Sequence, residues 1–276
     1  MRRGISTKRT GRVTTTYILG LALVMVGLGG STAFALDPMG PPASALRQGD
    51  YKLTLDYSFS EMDFELTDGT SSTGGELIPL TLKDFQAHRA YAGLGYGLYD
   101  NWEAFVRFGG TKGTFGDSIW EVGEEFEGGF DFAVGAGAKA TFYETDSWRV
   151  GALLQASYAE FDGTLELSAP GWLPDVTEID ILQVQAAIGA TYHWTDRISV
   201  YAGPFAYMVM GDFEDTFPVT TNGAGTITLS WDIDDGPNYG GYLGAYIILN
   251  DNSMLNVEYQ LAADASAVGL GLMWRI

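Results

Sequence analysis

From Asp50 onward, large apolar residues alternate with small or polar ones. In 51–60 (YKLTLDYSFS) every odd position is apolar and every even one polar. A period of two marks extended strands, whose side chains point alternately to opposite faces. The pattern predicts ten strands, at 51–60, 89–98, 102–109, 130–142, 148–158, 182–194, 198–210, 242–249, 255–261 and 268–276.

The connections alternate in length. Short ones fall at 99–101, 144–147, 195–197 and 250–253, and long ones at 61–84, 110–129, 162–181 and 211–238, while 263–266 is short again. An antiparallel meander with tight turns at one end and long loops at the other produces this rhythm. Strand-like stretches inside two of the loops (77–82 and 226–231) predict hairpins that rise beyond the main barrel. Trp102, Trp148 and Trp194 recur at a hairpin-sized interval, each beside a short turn.

Alternation alone fits a soluble barrel and a membrane barrel equally. The composition of the two faces separates them. One parity is almost wholly apolar. The other mixes charges and amides with glycines such as Gly93, Gly95, Gly97, Gly135, Gly137, Gly151 and Gly189. Water-facing strand positions favour Thr, Lys and Glu, and glycine there weakens the strand. A crowded lumen uses glycine where opposing side chains need room. The apolar parity is therefore expected to face lipid and the mixed parity the lumen. Tyr99, Trp102, Phe142, Trp148, Tyr192, Trp194 and Trp274 would form an aromatic girdle at the turn end.

Composition sharpens this picture. The 276 residues include no cysteine, which removes disulfides, thiol nucleophiles and zinc–thiolate clusters. The net charge of −20 argues against nucleic acid as a partner. Charge is unevenly placed: Arg2, Arg3, Lys8, Arg9 and Arg12 precede an apolar stretch, 17–28, and then Ala33-Phe34-Ala35. A basic region, an apolar core and an A-x-A site describe a secretory signal. The expected organisation is a cleaved signal at 1–35, a flexible leader at 36–49 (LDPMGPPASALRQG) and a barrel at 50–276.

The whole mature chain resembles the small outer-membrane β-barrel proteins of Gram-negative bacteria, the OmpA/OmpW-like group. The likeness is one of pattern, and its sharpest element is the last strand, Val268-Gly269-Leu270-Gly271-Leu272-Met273-Trp274-Arg275-Ile276. This strand looks like the C-terminal signal read by the barrel-assembly machinery, with Ile276 where the group ends on an aromatic. The resemblance implies an all-β, antiparallel up-and-down barrel in the cell outer membrane, surrounded by its lipid. It also implies short turns toward the periplasm, and it admits eight strands as well as ten.

Three constellations are candidates for chemistry. Inward charges form an expected ion network of Lys52, Asp56, Arg89, Glu103, Arg107, Asp131, Lys139, Arg149, Glu258 and Arg275, because unpaired ions in a confined lumen cost several kcal/mol. Tyr201, Phe205, Tyr207, Tyr242 and Tyr246 share the inward parity and either fill space or line a hydrophobic lumen site. The loops are acidic (Glu61, Asp63, Glu65, Asp68 and Glu76; Asp117, Glu121, Glu124, Glu125 and Glu127; Asp212, Glu214, Asp215, Asp232, Asp234 and Asp235), which makes divalent cations candidate partners. No twelve-residue calcium loop appears among them, so no metal ligand set is assigned. His88 and His193 are the two histidines, and local spacing builds no dyad around either.

The expectation is a non-enzymatic, cofactor-free outer-membrane barrel with a largely occluded lumen, serving a structural or surface-interaction role. The alternative is a narrow channel or carrier for small solutes, hydrophobic ones included.

Overall fold

A computed structural model describes residues 36–116, 124–167, 175–219 and 225–276. The signal read at 1–35, and Asp117 and Glu121 of the second acidic loop, lie outside the described residues. The strands are β1 (Tyr51–Ser71), β2 (Leu80–Tyr99), β3 (Trp102–Gly116), β4 (Glu124–Gly128), β5 (Asp131–Glu144), β6 (Trp148–Leu167), β7 (Asp175–His193), β8 (Ile198–Val219), β9 (Gly225–Asn250), β10 (Ser253–Ala262) and β11 (Ala265–Arg275). All pair antiparallel. β1 pairs with β2 on one side and with β11 on the other, so the ring closes without an edge.

Eleven named strands occupy ten places in that ring. β4 and β5 both pair with β3 on one flank and β6 on the other, so they are two pieces of one wall position, parted at Gly129–Phe130. The strands also run well past the predicted ends. β1 reaches Ser71 and β9 spans 26 residues, so much of 61–84, 162–181 and 211–238 is wall rather than loop.

The physical reason is that parity persists while the chemistry of the two faces exchanges. Along β1 the outward residues are Leu53, Leu55, Tyr57 and Phe59, then Glu61, Asp63 and Glu65. The inward ones are Lys52, Thr54, Asp56, Ser58 and Ser60, then Met62, Phe64 and Leu66, the last three fully buried. β6 repeats the exchange, from Leu154 to Glu160 and Asp162 outside and from Gln155 to Phe161 and Leu165 inside. One half of the barrel is thus apolar outside and polar within; the other is acidic outside and apolar within.

In the first half, Leu55, Phe108, Leu154, Ile188 and Leu243 are each about half exposed. An apolar belt around the whole ring far exceeds what a water-soluble monomer leaves open. A closed ring also satisfies its backbone internally, as hydrocarbon requires. The belt is therefore the lipid-facing zone. All seven girdle aromatics are exposed at the turn end. The other half stands in water around its own core, where Phe85 meets Phe64 at 5.3 Å and Phe161 edge-on at 5.0 Å.

Candidate functional site

The segment 36–49, read from sequence as a flexible leader, lies against the lumen wall. Leu36 through Met39, Pro42 through Ser44, and Leu46 are buried; only Arg47, Gln48 and Gly49 at the turn end are exposed. With three prolines and a glycine in 38–42, this stretch cannot continue a strand ladder. Its backbone groups are taken up instead by wall side chains.

Those side chains are the predicted ions. Asp37, fully buried, receives Arg107 Nη2 at 2.6 Å and Arg89 Nη1 at 3.2 Å. Arg107 Nη1 also donates to the Pro38 carbonyl, and Gln260 Nε2 to that of Asp37. Lys139 Nζ donates to the carbonyls of Met39 and Pro41, each at 2.7 Å. Glu258 accepts from the Met39 amide at 2.9 Å and from the Tyr201 hydroxyl at 2.8 Å. Glu103 pairs with Lys52 and accepts from the Ala45 amide and Ser44 hydroxyl. Arg275 donates to the Ala45 carbonyl. Each of these buried charges is thereby given at least one partner, since an orphan costs several kcal/mol.

Of the ten predicted network residues, the structure gathers Lys52, Arg89, Glu103, Arg107, Lys139, Glu258 and Arg275 on this segment. Arg149 instead pairs with Glu144 near the turn end. Asp131 accepts from the Asp162 amide near the loop end, and Asp56 makes no ion pair among the described residues. Asp37 was missed because nothing periodic surrounds it. The one available signal was an acid in an otherwise uncharged stretch, ahead of a lumen richer in bases than acids.

The five predicted aromatics all face inward and are buried. Tyr201 rests against Gly244, where a β-carbon would run into its ring. Phe205 stacks near Tyr207 at 5.9 Å, and Tyr207 donates to Asp264. Tyr242 packs 6.0 Å from Tyr201. Tyr246 meets His193 edge-on. Among the described residues they form a packed wall. The space below the segment is a cavity of about 560 Å³ at the turn end, lined by Lys52, Glu103, Lys139, Arg149, His193 and Tyr246 among others.

His193 Nδ1 lies 2.9 Å from Ser199 Oγ and 3.3 Å from Tyr246 Oη. This serine–histidine contact was not anticipated, since the pair comes together only across the β7–β8 turn. His88 points outward and meets Tyr57 Oη. Outward acids line up in register, Glu160 opposite Asp180, Asp180 opposite Asp212, and Asp212 opposite Asp232. Among the described residues no three carboxylates or histidines converge as a metal site would require.

A closed antiparallel ring, a lipid-facing belt and an aromatic girdle at the turns decide the class. This is the fold of bacterial outer-membrane β-barrels. No family model and no curated protein matches the chain. Solved structures similar to it include the outer membrane protease OmpT from Escherichia coli, at 12% identity and TM-score 0.48, covering 87% of this chain and 99% of that one. The outer membrane protein OprG from Pseudomonas aeruginosa is similar at 11% identity and TM-score 0.43, covering 83% and 97%. The toluene transporter TbuX from Ralstonia pickettii is similar at 13% identity and TM-score 0.41, covering 90% and 95%.

Proposed function

We propose that this chain is a non-enzymatic outer-membrane β-barrel whose lumen is closed by its own residues and whose role is structural or surface-interacting. The observation that carries the reading is two fillings in series. The segment 36–46 occupies the lumen within the lipid-facing zone, and beyond it Phe64, Phe85, Phe126, Phe161 and Phe213 are all buried to within 1%. A solute would have to displace both. Absence of catalysis is supported by His193, whose Nδ1 is shared between Ser199 and Tyr246 and to which no carboxylate is hydrogen-bonded among the described residues.

Export and assembly fit this reading. Cleavage after Ala35 would leave Leu36, itself fully buried, as the first residue of the luminal segment. N-terminal sequencing of outer-membrane protein should return Leu36, and Met1 would contradict it. β11, which closes the ring against β1, is the strand offered to the assembly machinery.

A second reading, a narrow channel for small solutes, is favoured by one feature: the first filling is a separate peptide and not part of the wall. Planar-bilayer conductance of the wild type and of a Δ37–45 deletion separates the two. The closed-barrel reading expects both to conduct far less than a sixteen-stranded porin, whose lumen is an aqueous channel. Stable channels in the wild type would establish the second reading, whereas channels in the deletion alone would identify the segment as the plug of a closed barrel.

A further inference from the structure

The wall reads the luminal segment chiefly through its backbone. Side chains of the wall donate to five of its carbonyls: Gln260 to Asp37, Arg107 to Pro38, Lys139 to Met39 and Pro41, and Arg275 to Ala45. Two of its amides are taken by wall carboxylates, Met39 by Glu258 and Ala45 by Glu103. A wall so rich in donors suits a chain in which prolines remove amides and leave carbonyls, as Pro38, Pro41 and Pro42 do.

Two positions of the segment are read more closely. The Asp37 carboxylate is gripped by Arg107 and Arg89. Gly40 has φ +66°, where an L side chain is strained, and a β-carbon there would come within 3.2 Å of Lys139 Nζ. The wall is also cut back where the segment passes. β-Carbons at Gly269 of β11 and Gly151 of β6 would come within 3.0 Å of Pro38 and 2.6 Å of Ala43. One at Gly97 of β2 would run into the Arg47 carbonyl. Three separate strands thus shape one groove for a peptide backbone. At the turn end the groove is open: the cavity of about 560 Å³ reaches Pro41, Ala43, Ser44 and Ala45, and the tether 47–49 is exposed.

From this fit we propose that the lumen of the lipid zone is a peptide-binding site, entered from the turn end, which 36–46 occupies as a tethered stand-in. Its ligand is an extended segment of a partner protein with the form acid-Pro-x-Gly-Pro, the form of Asp37 to Pro41. Main-chain hydrogen bonds supply affinity, while the acid and the glycine supply selectivity. The tether holds the resident at an effective concentration in the millimolar range, so a free peptide enters when the resident is released. The inference rests on the closed-lumen reading, but its test reads peptide exchange and not conductance, so either can fail alone.

The test uses the mature chain with a protease site inserted between the exposed Arg47 and Gln48, refolded and then cut. Native mass spectrometry should find the cut resident still held, or replaced by an added peptide of sequence 36–46 labelled at its C-terminal end. The uncut barrel should take up less than about a tenth as much of that peptide. Asp37→Asn in the peptide should weaken uptake at least about thirtyfold, the scale for truncating one partner of a buried charge pair. Gly40→Ala in the peptide should weaken it about tenfold. Loss of the cut resident without uptake of the labelled peptide would overturn the proposal, as would equal uptake of the parent and both substituted peptides. Heat-dependent gel mobility verifies folding before and after the cut. Should the insertion prevent folding, the parent peptide should raise the urea midpoint of the Δ37–45 chain and the asparagine peptide should not. No shift with the parent peptide overturns the proposal there too.

Discussion

Asp37 concentrates more interaction than any other residue of the luminal segment. Its carboxylate serves two guanidinium groups whose side chains are 1% and 4% exposed, and its carbonyl accepts from Gln260. Arg89 and Arg107 have further contacts, to Gln183 and to the Pro38 carbonyl, and Arg107 also lies 4.6 Å over the Tyr91 ring. None of these neutralises charge as a carboxylate does. Asp37→Ala should therefore destabilise the barrel by about 3–5 kcal/mol, the scale for breaking a buried pair, in urea titration from lipid vesicles. Asp37→Asn, which keeps acceptor and shape, should cost less. Arg47→Ala, at the exposed base of the same segment, should fall within about 0.5 kcal/mol of wild type.

At the scale of the strand, one face holds two environments. Leu154 and Glu160 lie on the same side of β6, the first 59% exposed in the apolar belt and the second among Asp162, Asp180 and Asp131. Arginine at position 154 should cost about 2–4 kcal/mol near the midplane. Arginine at 160 should be neutral or stabilising, since it replaces like-charge opposition with attraction. The same refolding titration reads both, and equal costs would mean that the belt extends past Glu160.

Several loop-end acids are held above the ordinary carboxylate range. Burial raises Asp175 to about 6, and burial with nearby Asp264 and Glu65 raises Asp235 to about 6. Asp162 is raised by burial and by Asp131, Glu160 and Asp180. A raised acid binds its proton more tightly folded than unfolded. It therefore penalises folding progressively as pH rises from about 4 through 6, and fully above that. Hydrogen exchange of the loop-side strand ends should accordingly be slower, after correction for intrinsic rates, at pH 5 than at pH 8.

The strands of the lipid zone were legible because hydrophobicity and geometry share one period there. Their continuations were read as loops because acids outside and phenylalanines inside keep the period but invert its usual meaning. The break at Gly129–Phe130 splits one wall position into two named strands, and the ten predicted crossings correspond to the ten places of the ring. Within the site, Lys52, Arg107 and Lys139 were legible as inward ions. What they bind was not, since the 38–42 run of prolines and glycine carries no periodic signal and its partners are set by tertiary proximity.

For the molecule as a whole, the strand ladder of the wall does not run through the segment it encloses. Strand pairing is continuous around the ring, and the segment joins it only through bonds such as Gly49 N to Gly97 O at the turn end. A Δ37–45 chain should keep the heat-dependent gel mobility of a closed barrel while unfolding at lower urea. Loss of the mobility shift would make the segment a requirement for closure.

The bonds around the luminal segment also impose a chronology. Met39 precedes every strand, yet its amide is bonded to Glu258, 219 residues further on. Its neighbours are anchored to β2, β3, β5, β10 and β11. Contacts of such separation form only after the intervening chain has been ordered. The earliest-synthesised of the described residues therefore wait for the latest. Until β11 reaches β1 there is no interior for them to occupy, so docking of the segment reports that the ring has been completed.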